Sequence, residues 1–332
     1  MARPLALRGR PTIPTYRVTF AGVDVLVAQD LDAAQLDDLR DLLARSARVD
    51  GHPALPEPQL GAVQHGTLQK SRLRVLLAYE HDALVGAAFL SPANDGSYAL
   101  HLVIDPVHRA EHAGEAIRSS LIERALGEPG GTSELLRLWA MRATDADDAA
   151  AARYGFTTER ELIQMKVLLP LPAEVVASAR PVTTRPFEPG RDDAAWLEIN
   201  NRAFAGHPEQ GNWTAEELQE RLGSDWVDLD GFLVAEAPDG TGLIGSCWTK
   251  VHTDSTPTLG EIYVISVDPD RHGEGWGKAL TVAGLIWLAQ AGITDGMLYT
   301  SATNTAAVAL YRGLGFTVDH VDRAYQRGRA SA

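Results

Sequence analysis

The sequence predicts an α/β fold with a mixed sheet, present in two tandem copies. Short runs rich in Val, Ile and Leu alternate with longer segments whose apolar residues recur every three to four positions, and these patterns predict strands and amphipathic helices respectively. Similar runs recur in the same order in the two halves of the chain, which indicates a duplicated structural unit. The length of 332 residues is sufficient for two domains.

The duplication is visible in three pairs of matching segments. The first-half segments and their second-half counterparts are, in order, Leu84–Phe89 and Leu243–Trp248, Leu102–Pro106 and Ile265–Pro269, and Tyr154–Phe156 and Leu314–Phe316. Three weak matches in one order are stronger evidence than any one match. The stretch 169–181 is rich in proline and alanine, which is typical of a linker. We therefore predict an N-terminal domain at residues 1–170 and a C-terminal domain at residues 181–328.

Each half is predicted to contain a helix, several strands, a central helix, a further strand, a short helix and a final strand. The predicted strands are Val75–Tyr79, Leu84–Leu90, Ala99–Ile104, Leu135–Met141, Leu162–Leu168, Gly231–Glu236, Leu243–Lys250, Gly260–Val267, Gly296–Thr300 and Thr317–Tyr325. Asp30 is expected to cap the first helix. Thr214 and Glu217 have the spacing of a capping box before a short helix of the second half.

The charge balance excludes some classes of function. The chain has 30 Lys and Arg against 44 Asp and Glu, a formal net charge of −14, and such acidity argues against nucleic acid and anionic membranes as partners. Cys247 is the single cysteine, so no intramolecular disulfide can form. No apolar run is long enough for a membrane span, and Met1–Arg8 lacks the apolar core of a signal peptide. We therefore expect a cytoplasmic protein, and we expect a monomer.

The most informative stretch joins a predicted strand, Glu261–Val267, to a glycine-rich loop and a helix. Asp268 and Pro269 end the strand, and the loop His272–Lys278, which we call the cofactor loop, leads into an apolar-periodic helix. The backbone N–H groups of such a loop, together with the helix dipole, form a cradle for a pyrophosphate. Glycine lets the backbone approach the anion because it has no Cβ.

The corresponding loop of the first half has diverged. Gly275 and Gly277 follow Asp268 by seven and nine residues, whereas the same steps from the Asp-Pro pair of the first half lead to His112 and Gly114. Because a histidine side chain replaces the first glycine, we expect no good pyrophosphate cradle there. We interpret the first half as a degenerate duplicate that is kept for packing and for contact with substrate.

The run Leu310–Phe316, near the end of the chain, completes a wider pattern. Together, the strand, the cofactor loop and this run resemble the acetyl-CoA-binding core of the GNAT N-acyltransferases. The resemblance implies two tandem GNAT acyltransferase domains and acetyl-CoA as a cosubstrate. The ten histidines show no metal-ligand spacing, and we predict no metal.

Acetyl transfer from a thioester to an amine needs a base, an acid and donors for the oxyanion. Glu261 is the candidate base because it opens the strand that leads to the loop, although an ordinary solvated glutamate is as good an interpretation. Tyr311 is the candidate acid, since a phenol of pKa ~10 is protonated at pH 7, and a half-buried core tyrosine is the alternative. Asn304 is interpreted as a helix cap, a contact for pantetheine, or both. Cys247 has no adjacent His and Asp arrangement, so we reject it as a nucleophile.

The chain also resembles a narrower family over nearly its whole length. The similar segments are Val49–Gly51, Glu57, Glu161–Met165, Asn200–Thr214, Trp248–His252 and Gly260–Val264. They are similar to segments of the mycothiol synthases, which are tandem GNAT enzymes. The resemblance implies transfer of acetyl from acetyl-CoA to the cysteinyl amine of Cys-GlcN-Ins, giving mycothiol and CoA, with catalysis in the C-terminal half.

The same resemblance implies roles for individual residues. The base falls on Glu261 and the acid on Tyr311. Substrate contacts fall on Glu57, Glu209, Lys250, Glu261 and Tyr299. Cofactor contacts fall on Ile265, Ser266, Val267, His272, Gly273, Glu274, Gly275, Trp276, Gly277, Lys278, Asn304, Thr305, Ala306, Ala307, Val308 and Ala309. Because Glu57 belongs to the other half, the substrate is expected to lie between the domains.

The cofactor loop departs from that family. It lacks two arginines that the family usually has and contains Glu274 instead. A carboxylate beside a pyrophosphate is expected to lower affinity, unless Arg271, Lys278 or His272 compensates. Two other functions remain open, namely acetylation of a different small amine and non-catalytic binding of acetyl-CoA. The retained base and acid candidates argue against the second of these.

Overall fold

The computed structural model describes residues 17–20, 23–28, 30–50, 53–93, 96–109, 111–128, 135–205, 210–237, 242–253 and 255–328. Contacts divide the chain into two compact units. The first unit holds the chain up to Glu159 and the residues from Ala324 onward, and the second unit holds Arg160–Arg323. Each unit packs helices on a mixed sheet, so the predicted fold class is confirmed.

The sheet of the first unit follows the order of the chain. Its strands are β1 (Arg17–Phe20), β2 (Val23–Ala28), β3 (Arg74–Glu80), β4 (Ala83–Pro92), β5 (Tyr98–Ile104) and β6 (Leu135–Ala140). Neighbours from β1 to β5 pair antiparallel, and β5 pairs parallel with β6. The helices are α1 (Ala33–Asp50), α2 (Glu57–Gln64), α3 (Glu111–Leu126) and α4 (Asp145–Arg153).

Strand β3 shows why both faces of this sheet are covered. Leu76 and Ala78 belong to an apolar cluster that includes residues of α3, whereas Val75 and Leu77 belong to a cluster that includes residues of α1 and α2. Successive strand side chains point to opposite faces. The continuous apolar run of β3 therefore supplies two cores at once.

The second unit has the sheet order β13-β7-β12-β11-β10-β9-β8. Its strands are β7 (Thr157–Leu168), β8 (Arg185–Pro186), β9 (Phe232–Glu236), β10 (Leu243–His252), β11 (Leu259–Val267), β12 (Asp295–Ser301) and β13 (Thr317–Gly328). Its helices are α5 (Ala173–Ala177), α6 (Asp193–Ala203), α7 (Ala215–Leu222), α8 (Trp276–Gln290) and α9 (Thr305–Gly313). Strand β11 pairs parallel with β12 and antiparallel with β10.

The two faces of this second sheet have different cores. Leu280 and Leu285 of α8 lie in one apolar cluster with Cys247 of β10. The other cluster is aromatic, and the rings of Phe232 and Trp248 stack there with centroids 4.3 Å apart. The rigid aromatic packing fixes the strands that position the candidate site.

The domain boundary predicted between residues 170 and 181 differs from the boundary that the contacts define at Arg160. Leu162–Leu168 of β7 pair antiparallel with Asp295–Ser301 of β12, and Ile163 and Met165 lie in the core of the second unit. Most of β7, predicted as the last strand of the first half, thus belongs to the second unit. The reason is that strands pair with segments distant in sequence, so the proline-rich composition after β7 does not indicate that β7 pairs with β12.

The predicted strands are all present, with ends shifted by a few residues. The capping box of Thr214 and Glu217 is confirmed at the start of α7. The predicted cap Asp30 is wrong, because α1 begins at Ala33 and the amide of Gln35 donates to Asp32 Oδ1 at 2.8 Å. The sequence patterns did not predict β1, β2, β8, α2, α5 or α6. Within the described ranges, we find no helix with both the length and the apolarity of a membrane span.

Candidate active site

The two parallel strands of the second unit pair over only three residues each. Strands β11 and β12 pair from Leu259 opposite Asp295 as far as Glu261 opposite Met297, and the pairing ends there. Strand β11 continues to Val267, still paired with β10 but no longer with β12. Among the described strands, none pairs with the edge of β11 that faces β12 beyond Glu261, so the backbone N–H and C=O groups there have no described strand partner. An extended ligand can pair with such an edge.

A β-bulge lies at the start of this free edge. Strand β10 pairs Trp248 with Val264 and Thr249 with Ile262, which leaves Tyr263 as an extra residue in β11. A bulge bends its strand and increases the local twist, and bulges are common beside active sites. The bulge thus coincides with the point where β11 leaves β12.

Glu261 lies where the two strands separate. Its side chain is only 11% exposed, and its Oε2 is 2.8 Å from Nε2 of His252. Lys250 is its register partner on β10. A buried, hydrogen-bonded carboxylate does not fit the interpretation of Glu261 as an ordinary solvated residue. His252 ends the Trp248–His252 segment, but nothing in the neighbouring sequence indicates that it contacts Glu261.

Tyr311, on α9, is buried in the apolar cluster that also contains Cys247, and its ring centroid lies 5.7 Å from that of Phe316. Burial raises the pKa of Tyr311 to about 12, with a smaller contribution from the nearby Cys247 thiol. The phenol is therefore protonated at neutral pH, and within the described ranges its hydroxyl has no hydrogen-bond partner. This geometry is compatible with a proton donor and with a core residue.

Cys247 is an unreactive thiol. It is fully buried, and burial raises its pKa to about 12. Because the thiolate is the nucleophilic form, such a cysteine is inert near neutral pH.

The predicted substrate residues occupy different places. Lys250 Nζ lies 4.5 Å from the ring centroid of Trp226 and 5.6 Å from that of Tyr263. Tyr299, on β12, accepts a hydrogen bond from Gln164 Nε2 at 2.8 Å. Glu57 is the exposed first residue of α2 in the first unit. Glu209 lies outside the described residues.

The cofactor loop has the geometry of an anion site. Gly273 and Gly275 have φ values of +81° and +84°, which favour glycine, and Gly275 is the N-cap residue of α8. Because Gly275 has no side chain to cap the helix, the first N–H groups of α8 have no intrahelical or side-chain acceptor among the described residues. A Cβ on Gly273 would meet nothing within 4 Å. The loop is thus open to a ligand and fits the phosphates of acetyl-CoA.

Two of the remaining predicted cofactor residues have polar side chains engaged within the protein. The Ser266 hydroxyl is buried and lies 2.9 Å from Ser246 Oγ. Asn304 caps α9, since its Oδ1 accepts from Ala307 N at 3.1 Å. The cap interpretation is thereby confirmed, and the amide nitrogen of the side chain remains available to a ligand.

In the first unit, the Arg109 side chain, at the corresponding loop, is engaged within the unit. Arg109 Nε donates to the carbonyl of Ile104 at 2.9 Å, and its NH2 donates to Asp50 Oδ2 at 2.8 Å. A Cβ on Gly114 would lie 2.5 Å from the Arg109 carbonyl oxygen. The side chain of His112 lies outside the described part of the structure. Among described residues, no group of three or more His, Cys, Asp or Glu could hold a metal ion.

The chain is similar to known proteins in both sequence and structure. Residues 194–316 match the Acetyltransferase (GNAT) family. The chain is 41% identical to a Mycothiol acetyltransferase of Kocuria rhizophila, with 87% of this chain and 95% of that protein aligned. It is 42% identical to a Mycothiol acetyltransferase of Thermobispora bispora, with 86% and 94% aligned.

Solved structures share the fold. A GCN5-related N-acetyltransferase from Sphaerobacter thermophilus superposes with a TM-score of 0.67 at 20% identity, covering 93% of this chain and 96% of that one. A tandem GNAT protein from the clavulanic acid biosynthesis pathway superposes with a TM-score of 0.65 at 16% identity, covering 93% and 99%. The tandem arrangement is therefore shared with proteins of low sequence identity.

Proposed function

The chain belongs to the mycothiol acetyltransferase family and is an acetyl-CoA-dependent N-acyltransferase, and from this premise we propose its substrate and its catalytic residues. It transfers acetyl to the cysteinyl amine of Cys-GlcN-Ins, giving mycothiol and CoA. Glu261 is the general base and Tyr311 the general acid. The observation that supports this assignment most is the buried Glu261 carboxylate at the point where β11 and β12 separate.

Each residue has one step in the proposed reaction. Glu261, directly or through a water molecule, takes a proton from the substrate ammonium, because only the neutral amine attacks the thioester. The N–H groups on the free edge of β11 donate to the carbonyl oxygen as negative charge develops there. Tyr311 gives its phenolic proton to the sulfur that leaves as the thioester C–S bond breaks. The nitrogen of the tetrahedral intermediate then loses its second proton, which restores the Tyr311 phenol, and the proton taken by Glu261 is released to solvent.

His252 orients the base. Its hydrogen bond of 2.8 Å holds one carboxylate oxygen of Glu261. This bond fixes the plane of the carboxylate and therefore also the position of the other oxygen, which is the one that accepts the proton. A base held in one orientation loses less entropy when the substrate arrives. The imidazole is partly exposed, which gives the abstracted proton a route to solvent.

The polar groups around Glu261 suit a polyol that bears an amine. Lys250 can donate to sugar hydroxyls, and the Trp226 and Tyr263 rings beside it offer apolar faces to a sugar ring. Tyr299, Glu57 and Glu209 are proposed as further contacts to the hydroxyl and ammonium groups.

The direct test is incubation of the purified protein with acetyl-CoA and Cys-GlcN-Ins, followed by mass spectrometry of the product. We expect a single acetylation on the cysteinyl nitrogen, and we expect Glu261→Gln to slow it strongly. A panel of other amines separates the alternatives, since a preference for another amine reassigns the substrate. The absence of CoA release with any amine would indicate a binding module.

A further inference from the structure

The segment that follows α5 packs against the cofactor loop. Arg180 places its guanidinium carbon 3.5 Å from the ring centroid of Trp276, the first residue of α8. Its NH1 donates to the carbonyl oxygen of Glu274 at 2.7 Å. The same segment is tied to the first turn of α8 a second time, because Lys278 Nζ donates to Ser178 Oγ at 2.8 Å. All these residues belong to the second unit.

Glu274 holds this arrangement together. Its Oε2 accepts from the Trp276 indole N–H at 2.9 Å, so the carboxylate and the indole fix each other. The carboxylate is 3.9 Å from Arg180 NH1 and 4.0 Å from Arg271 NH1. Ion pairs of this length between exposed groups contribute little to stability, so they do not by themselves account for the position of Arg180.

The Arg180 guanidinium is placed to meet a ligand of the loop. Its Cδ is 3.7 Å from the position that a Cβ on Gly275 would take, so the side chain runs along the N-terminus of α8. The side chain is 40% exposed, and its other N–H groups have no protein partner among the described residues. Stacking on an indole fixes the plane of a guanidinium and leaves its edge free for hydrogen bonds.

We infer that Arg180 is a phosphate-binding residue of the acetyl-CoA site, which rests on the cofactor binding proposed above. The cofactor loop offers a phosphate backbone N–H groups but also the carboxylate of Glu274, and its one lysine, Lys278, already donates to Ser178 Oγ. Arg180 supplies a further positive charge from outside the loop. Trp276 and Glu274 form its platform, and the phosphate is either the pyrophosphate or the 3′-phosphate of CoA.

Calorimetric titration of CoA tests this inference without reference to turnover. We expect Arg180→Gln to weaken CoA binding by about tenfold, as for the loss of a charge-assisted contact to a phosphate. Arg180→Lys should recover only part of it, because an ammonium lacks the planar fork. Glu274→Gln keeps an acceptor for the indole and removes the negative charge, so it should tighten binding about threefold. Arg191→Gln, an exposed arginine paired with Glu188 and Glu236, is the matched control and should bind as wild type.

Two further arms identify the phosphate and the interaction. If Arg180→Gln weakens CoA and dephospho-CoA equally, the contact is to the pyrophosphate, and if only CoA is affected, it is to the 3′-phosphate. The wild-type dissociation constant should also rise more steeply with salt than that of Arg180→Gln, since salt screens the lost interaction. Thermal unfolding of each variant confirms that it is folded.

The inference is overturned if folded Arg180→Gln binds CoA as tightly as wild type, or if its salt dependence is unchanged. A wild-type protein that binds no CoA overturns both this inference and the acetyl-CoA site. A protein that binds CoA through Arg180 and yet acetylates no Cys-GlcN-Ins overturns only the proposed substrate.

Discussion

Strands β10 and β11 of the second unit pair antiparallel in the same way as β4 and β5 of the first unit, but different residues occupy matching steps of the two ladders. In the second unit Lys250 of β10 is paired with Glu261 of β11, and at the same step along the ladder of the first unit Ser91 is paired with Ala99. The first unit also lacks the bulge, since the register of β4 and β5 is continuous from Gly86 to Pro92. At this step of the ladder, the described residues of the first unit therefore include no counterpart of the Glu261 carboxylate.

The acid and the loop differ in the same way. Counting back from Phe316 and Phe156, Ala151 takes the position of Tyr311. In the first unit α3 begins at Glu111, soon after the Asp-Pro pair. Arg109 forms an ion pair with Asp50 and donates to the carbonyl of Ile104, the last residue of β5. A duplicated unit can therefore keep its core while the positions of candidate functional residues hold alanine or side chains that bond within the unit.

The largest expected effect comes from replacing the proposed base. Glu261→Gln keeps the shape of the side chain but cannot accept a proton, so turnover at pH 7 should fall by ~10²–10⁴-fold. The loss should shrink at high pH, where more of the amine is already neutral. Steady-state rates across pH measure this, and near-normal turnover at pH 7 would remove Glu261 from the role.

One substitution in each unit tests the difference between the two loops. Gly275→His copies the first-half residue into the cofactor loop, where φ is +84°, and the strained side chain should weaken acetyl-CoA binding by roughly 10²-fold. His112→Gly is the matched control, and it should leave both binding and turnover nearly unchanged. Calorimetry decides the comparison, and a stoichiometry of two per chain would show that both units bind the cofactor.

Tyr311→Phe should lower turnover by roughly tenfold while acetyl-CoA affinity is retained. The raised pKa of about 12 means that Tyr311 keeps its proton up to that pH, so an alkaline decline of activity near pH 8 or 9 would have another source. Tyr325→Phe is the control, because this buried tyrosine donates to Asp148 in the first unit and should affect stability alone. Unchanged turnover with weaker cofactor binding would make Tyr311 a binding residue.

The smallest expected effect concerns His252, the proposed positioning residue. His252→Ala should lower turnover by roughly fivefold to tenfold, about 1–1.4 kcal/mol, the size of an ordinary hydrogen bond. His252→Gln, which can still donate to Glu261, should recover part of the loss. In the Glu261→Gln background, His252→Ala should have little further effect, since the two residues act together. Additive losses would show that His252 acts independently of Glu261.

The sequence by itself determined the features that depend on neighbouring residues. The strand, cofactor loop and helix from Glu261 to Lys278 lie in one continuous segment, so their spacing was sufficient to predict an anion site. The caps at Thr214 and Asn304 were predictable for the same reason. The duplication was found from the order of short segments, and the candidate base and acid came from family resemblance supported by their chemistry.

Only the tertiary structure decided which distant segments meet. It assigned most of β7 to the second unit, separated β11 from β12 beyond Glu261, and placed His252 against that carboxylate. It also brought Arg180 from the predicted linker onto Trp276 of α8. Local patterns specify the conformation of a segment, whereas sheet pairing and side-chain contacts across the fold depend on which surfaces remain open once the cores have packed.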